Sequence, residues 1–271
     1  MRRAVTLLAL LVLAGCGASD KNDSDTVVAA FYPLAWAAEQ IVAEGTEVVN
    51  LTPPGAEPHD VELSPRDGET IREARVVLYA GGGFQPAVED VVSERSGISL
   101  DVLQNGGDPH VWLDPVRFAQ VVIDIGGVVE RPKRAAELAD ELAQLHASYR
   151  RGLGRCERRT LVTSHAAFSQ LADRYGLTQL SLTGISPEAE PGPRVLEQLI
   201  DDVRASGATT VFAEPLVSDR VAQTVAREAG ADVAVLDPLE GLSDDRLADG
   251  EDYLSVMRTN LVVLREALGC R

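Results

Sequence analysis

The sequence predicts an α/β protein of two parallel-sheet lobes joined by a long helical connector. Three observations carry this. Short β-branched runs alternate with helical patterns in both halves of the 271-residue chain, which implies parallel strands with crossover helices. Residues 115–151 break the alternation with a stretch rich in Ala, Leu, Glu and Arg. The second half then repeats the strand and helix grammar of the first.

In the first half, residues 27–31, 47–51, 76–79 and 98–103 read as strands. Helices are expected over 34–43, over 65–74 with Ser64 as N-cap and Pro65 at the first position, and over about 85–94. The glycines 81–83 lack the spacing of a phosphate loop; a turn with close backbone approach fits them better. In the middle, Gly126-Gly127 and Arg131-Pro132 predict a kinked or two-part helix. Asp114-Pro115 supplies its N-cap and first residue. In the second half, strands fall at 160–163, 179–182, 209–212 and 232–236. Helices fall at 165–175, 193–206, 218–229 and 252–268, with Gly176 and Gly230 as C-terminal caps.

The N-terminus has a basic start at Arg2-Arg3, an apolar run over 4–13, and Ala14-Gly15-Cys16. This describes a secretory signal over 1–15, too short to span a bilayer. Leu13-Ala14-Gly15-Cys16 matches a lipobox, so Cys16 is the expected lipidated first residue of the mature chain. The polar stretch 16–25 reads as a tether. The body then divides into an N-terminal lobe at 26–113, a connector at 114–153 and a C-terminal lobe at 154–271. Exported and lipid-anchored, it would stand on the outer face of the cell membrane. The formal charge of −17 disfavours nucleic acid as a partner and is compatible with attracting cations. Cys156 and Cys270 remain, an even number that suggests a disulfide outside the cytosol.

Of four histidines, three sit in segments that restrict the imidazole. His59 and His110 each follow a proline, and His165 follows a strand. His146 lies in a helical stretch without such a setting and reads as a partly exposed helical residue. Ligands in open α/β sheets bind at the carboxyl ends of strands. His59, His110, His165, Glu214, Asp237 and Glu240 all fall there and can converge on one cleft between the lobes. Three imidazoles and one carboxylate fill a tetrahedral zinc site, and such a donor set suits Zn(II) better than Mn(II). Ordinary imidazole titration would weaken binding below about pH 6. Trp112 reads as packing behind His110.

Five motifs carry a family resemblance: PHDVELSP from Pro58, DPHVWLDP from Asp108, VTSHAAFSQLADRYGL from Val162, GISPEAEPGP from Gly184 and LDPLEGLS from Leu236. In that order, from about Val27 to Leu268, the chain resembles the ZnuA/TroA-like zinc- and manganese-binding receptors of bacterial ABC importers. The resemblance implies two α/β lobes, a rigid connecting helix, a metal in the cleft and delivery to an ABC permease by a monomeric receptor that is not an enzyme. His59, His110 and His165 match the family's histidine ligands. Zinc-type members imply Glu240 as the fourth ligand and manganese-type members imply Asp237; Glu240 is the expected ligand and Asp237 the runner-up. The His/Asp-rich loop of many zinc members is missing between His59 and His110. A manganese receptor is the alternative within the class. A zinc hydrolase with an open coordination position, or an adhesin on the same fold, is the alternative outside it. No HExxH helix supports the hydrolase.

Overall fold

A computed structural model describes residues 24–104, 106–187 and 191–271. The signal segment and Cys16 lie outside the described residues, as do positions 188–190 of the motif that starts at Gly184. In the first lobe, strands β1 (Ser24–Ala29), β2 (Val48–Asn50), β3 (Ala74–Tyr79) and β4 (Ile98–Asp101) pair in parallel in the order β2-β1-β3-β4. Helices α1 (Tyr32–Ile41), α2 (Pro65–Glu73) and α3 (Pro86–Glu94) connect them. Val27, Val28 and Ala29 are fully buried, as the centre of a sheet covered on both faces requires. The strand starts inside the expected tether, where Arg75 on the neighbouring strand holds Asp25 at 3.1 Å. It also ends two residues early, because Phe31 becomes the N-cap residue of α1. Helix α2 starts as its sequence predicts: Ser64 and Asp67 form a capping box ahead of Pro65.

The connector is two helices, α4 (Pro115–Val128) and α5 (Pro132–Gly152), folded back on one another. A Cβ at Gly126 would lie 2.2 Å from the Cβ of Ala135, so the close approach requires glycine there. Asp114 caps α4 by accepting from the Val116 amide at 3.0 Å.

The second lobe repeats the first. Strands β5 (Thr160–Thr163), β6 (Thr178–Ser181), β7 (Thr210–Ala213) and β8 (Asp232–Val235) pair in parallel as β6-β5-β7-β8. Helices α6 (Ser169–Tyr175), α7 (Pro193–Ser206) and α8 (Arg220–Ala229) pack on the sheet. A short helix absent from the sequence reading, α9 (Asp244–Ala248), precedes α10 (Tyr253–Leu268). With five residues and none buried, α9 leaves no apolar periodicity to detect.

The main core joins the first lobe, α4, α5 and α10, while a smaller core fills the second lobe beneath α7 and α8. Across the lobes, Tyr253 of α10 stacks on Trp36 with ring centres 4.7 Å apart and lies 4.8 Å from Phe118. The Tyr149 hydroxyl donates to the Met257 carbonyl at 2.7 Å. Cys156 and Cys270 form a disulfide that ties the start of the second lobe to the end of α10.

Candidate metal centre

Each candidate residue lies in the connection that follows a strand. His59 lies in a 3-10 turn, Pro58–Asp60, after β2, and His110 caps another, Val111–Leu113, after β4. His165 follows β5 directly and begins the turn Ala166–Phe168 that leads into α6. The helix expected from 165 therefore opens as a 3-10 turn. Glu240 lies in the loop between β8 and α9. In the second sheet the strand order reverses between β5 and β7, the switch point where doubly wound sheets bind ligands. His165 and Glu214 stand on its two sides.

The four side chains meet at one atom. Nε2 of His59, His110 and His165 lies 3.1, 3.0 and 3.2 Å from Oε1 of Glu240. Nε2 of His110 and of His165 are 3.4 Å apart, and all four donor atoms lie within 4.8 Å of one another. Zinc bonds of about 2.0–2.1 Å place tetrahedral donors roughly 3.3 Å apart, so these separations leave room for one such ion after small adjustments. His110, His165 and Glu240 are buried, and His59 is the one partly exposed member. His146 stands apart, half-buried on α5, with Nδ1 3.2 Å from the Tyr175 hydroxyl.

Two histidines have their second ring nitrogen held by a carboxylate. Nδ1 of His110 donates to Asp108 at 2.6 Å, and Nδ1 of His165 donates to Glu214 at 2.6 Å. Such contacts fix the ring and leave Nε2 for a metal. Both acids also accept the backbone N–H of the histidine they hold, at 3.0 Å each.

Asp108 and Glu57 occupy the same place in an acid-Pro-His triplet, and both accept the backbone N–H two residues on. The shorter aspartate turns to Nδ1 of its histidine. The longer glutamate instead lies 4.0 Å from Nε2 of His59, on the ring edge that faces Glu240. Its Oε2 is buried without a hydrogen bond. His59 is packed edge-on against Phe84, with ring centres 4.5 Å apart. The glycine turn brings Phe84 there, with φ of +74° and +85° at Gly82 and Gly83.

The charges reinforce one another. Burial alone would raise Glu240, but hydrogen bonds from the three imidazoles hold it well below the usual carboxylate range. Burial opposes protonation of His165, but Glu214 and Glu240 overcome it and push this imidazole up to about 10. His110 moves up in the same way through Asp108 and Glu240. Burial, then the charge of Glu240, pushes Glu57 up to about 8.

Asp237 is placed elsewhere. Its Oδ1 accepts from the Leu239 amide at 2.7 Å and its Oδ2 from Arg246 at 2.6 Å. Asn260 of α10 binds both backbone polar groups of Asp237, at 3.0 and 2.7 Å. The Trp112 indole donates to the Pro238 carbonyl at 2.7 Å, so Trp112 both packs and anchors this turn. Leu239 is fully buried with φ +57°, a left-handed strain of roughly 1–3 kcal/mol. The surrounding contacts hold that shape, and the shape aims Glu240 at the histidines.

Sequence reasoning brought the three histidines and Glu240 together, with Glu214 beside them. It missed Asp108 and Glu57 as partners, although the repeated acid-Pro-His spacing was visible. It also missed Arg246 and Asn260, whose roles depend on where α9 and α10 pack.

Fold and site thus define a two-lobed α/β protein with an N3O cluster suited to a borderline metal ion between its sheets. Residues 27–267 match the family model described as "ZnuA: Zinc-uptake complex component A periplasmic", and the chain belongs to this family. It is 31% identical over 283 aligned positions to the zinc-binding protein AdcA of Streptococcus pyogenes serotype M1, covering 88% of this chain and 55% of the relative. The chain therefore spans about half the length of that curated relative. The laminin-binding protein Lmb of Streptococcus agalactiae, described as bifunctional with adhesin and metal-transporting activity, superposes with a TM-score of 0.80 at 30% identity, covering 90% of this chain and 99% of that one. The Zn(II)-bound ZnuA-like domain of Streptococcus pneumoniae AdcA superposes with a TM-score of 0.76 at 30% identity, covering 90% and 98%.

Proposed function

We propose that the protein is an extracytoplasmic receptor that captures Zn(II) with His59, His110, His165 and Glu240 and hands it to an ABC-type import permease. The observation that carries this reading is the convergence of three imidazole Nε2 atoms on Glu240 Oε1 at 3.0–3.2 Å. Zinc is cargo here, held and released intact. Three nitrogens and one oxygen favour Zn(II) over Mn(II), which prefers more oxygen donors. Cu(II) would bind such a set still more tightly, so selection in the cell also depends on which metals are available. The names of the relatives point the same way.

Glu240 fills the fourth position and Asp237 is tied to Arg246. That arrangement leaves no open position for a reactive water, which favours a receptor over a hydrolase. The reading includes export, anchoring through a lipid on Cys16, and action as a monomer. Among the described residues no helix is long and apolar enough to cross a membrane. The charge of −17 supports a cation as cargo and argues against nucleic acid.

Elemental analysis and titration of the metal-stripped protein with Zn(II) and Mn(II) test this reading. A 1:1 zinc complex, tighter than manganese and lost in His59→Ala, is expected. Preference for Mn(II), or steady hydrolytic turnover by the zinc-loaded protein, would overturn it.

A further inference from the structure

Asp237 has the same oxygen chemistry as Glu240 and stands three positions before it, buried, yet it is not among the four converging donors. What holds it away is visible. Arg246 of α9 donates to Asp237 Oδ2 at 2.6 Å through Nη1 and grips Glu251 through Nη2 and Nε at 2.6 and 2.9 Å. The planar guanidinium fork serves both acids at once, which an ammonium cannot do with the same geometry. The other Asp237 oxygen closes the turn at Leu239.

We propose that Arg246 is a positioning residue that sets metal specificity: by holding Asp237 it keeps a second carboxylate off the ion. This inference deepens the receptor reading and rests on it. With Asp237 engaged, the ion meets three nitrogens and one oxygen. With Asp237 released, it gains one or two oxygens, and the site moves toward the oxygen-rich, higher-coordinate surroundings that Mn(II) prefers. The ion pair lines a cleft of about 570 Å³ between β8 and α10, with Val235, Thr259 and Asn260 among its walls. Arg246 is about a quarter exposed, so replacing it does not open the core.

Co(II) is the probe, because its visible d–d absorption is intense in tetrahedral sites and weak at higher coordination. In full-length Arg246→Met the band should weaken, and the ratio of zinc to manganese affinity should fall on the order of tenfold, the lower end of what loss of an outer-shell partner costs. Arg246→Lys should keep only part of both, because a single ammonium cannot hold Asp237 and Glu251 in the same geometry. Adding Asp237→Asn to Arg246→Met should restore the intense band, because the amide still accepts from Leu239 but is a much poorer ligand. Asp237→Asn alone should also keep it, which tests the idea even if Arg246→Met folds poorly. An Arg246→Met protein with the parental spectrum and metal ratio would overturn the proposal. So would failure of Asp237→Asn to restore the band, or loss of the band in Asp237→Asn alone. A parent protein that takes up no Co(II) would sink the receptor reading as well, which separates the two failures.

Discussion

Asp108 meets His110 at Nδ1, 2.6 Å away, on the ring edge opposite the one that faces Glu240. Glu214 does the same for His165, and both acids also hold the backbone N–H of their histidine. Each ring is therefore fixed from behind before any ion arrives. Asp108→Asn or Glu214→Gln removes the negative charge that supports the ring and keeps its shape. Either should weaken zinc binding by about 10–100-fold and mainly speed release. Stopped-flow competition with a chelator measures this, and parental rates in both variants would contradict the assigned roles.

The same contacts give binding a pH dependence higher than a free imidazole would show. Burial works against charge on His165, but Glu214 and Glu240 more than compensate and bring it to about 10; His110 is raised alike. The metal-free site therefore holds protons at neutral pH that zinc must displace. Affinity should rise from pH 5 to pH 9, about tenfold per pH unit for each proton displaced. The expectation of a fall only below pH 6 considered imidazoles without their carboxylates. Calorimetry in buffers of different ionisation heats would count the protons. A flat profile over this range would refute the assignment.

Stability of the metal-free protein should run the opposite way. A histidine with a raised folded pKa stabilises below its unfolded value of about 6.5, and that contribution is lost as pH rises through the folded value. For His165 the loss extends to about pH 10. Glu57, raised to about 8 chiefly by burial, adds a cost of the same sign as it ionises. The lowered pKa of Glu240 contributes above about pH 4.5 and is lost only on strong acidification. The metal-free melting temperature should therefore fall between pH 6 and pH 10. In the zinc-loaded protein the ion replaces those protons, so the fall should be much smaller. Scanning calorimetry of both forms checks this, and parallel curves would count against it.

The sequence revealed most of this site because its chemistry lies in short local patterns. His59, His110 and His165 each follow a strand or a proline, and strand ends in parallel sheets share one edge. The partners were harder to see. Whether an acid two residues before a histidine reaches Nδ1 or Nε2 depends on one methylene, as Asp108 and Glu57 show. The preference for Glu240 over Asp237 rested on the family resemblance; the residues that hold Asp237 aside, Arg246 and Asn260, belong to helices packed against the turn. The fold followed the same rule. Strands and capped helices were legible, whereas the fold-back of α4 on α5 depended on Gly126 meeting Ala135 across space.

The disulfide should matter for stability and little for metal. Cys156 and Cys270 are 114 residues apart in sequence, and closing a loop of that size constrains the unfolded chain by about 4–5 kcal/mol in the chain-entropy model. The bridge joins the start of the second lobe to the end of α10 and touches none of the four converging residues. Cys156→Ser with Cys270→Ser should therefore lower the denaturant midpoint markedly and leave zinc affinity within about twofold. Denaturation and titration of the same preparation separate the two. A large loss of affinity with little loss of stability would show that the bridge acts on the site.

The lobes themselves should move little. Helix α10 follows the second sheet in the chain, yet its Tyr253, Met257 and Leu264 belong to the core that fills the first lobe. Tyr253 is fully buried and its hydroxyl donates to the Trp112 carbonyl at 2.5 Å. Arg174 of α6 binds Asp114 at 2.7 Å, and Gln170 donates to the Asp108 carbonyl at 2.6 Å. Opening the cleft by a hinge would break these contacts and expose stacked aromatic rings, each worth more buried than a loop contact. Metal exchange should instead pass by His59, the one partly exposed donor, where Phe84 and Glu57 line the way. Solution scattering should give nearly equal radii of gyration for metal-free and zinc-loaded protein. Phe84→Ala should speed zinc release without changing that radius. A clear contraction on zinc binding, with release unaffected by Phe84→Ala, would place the movement in the lobes instead.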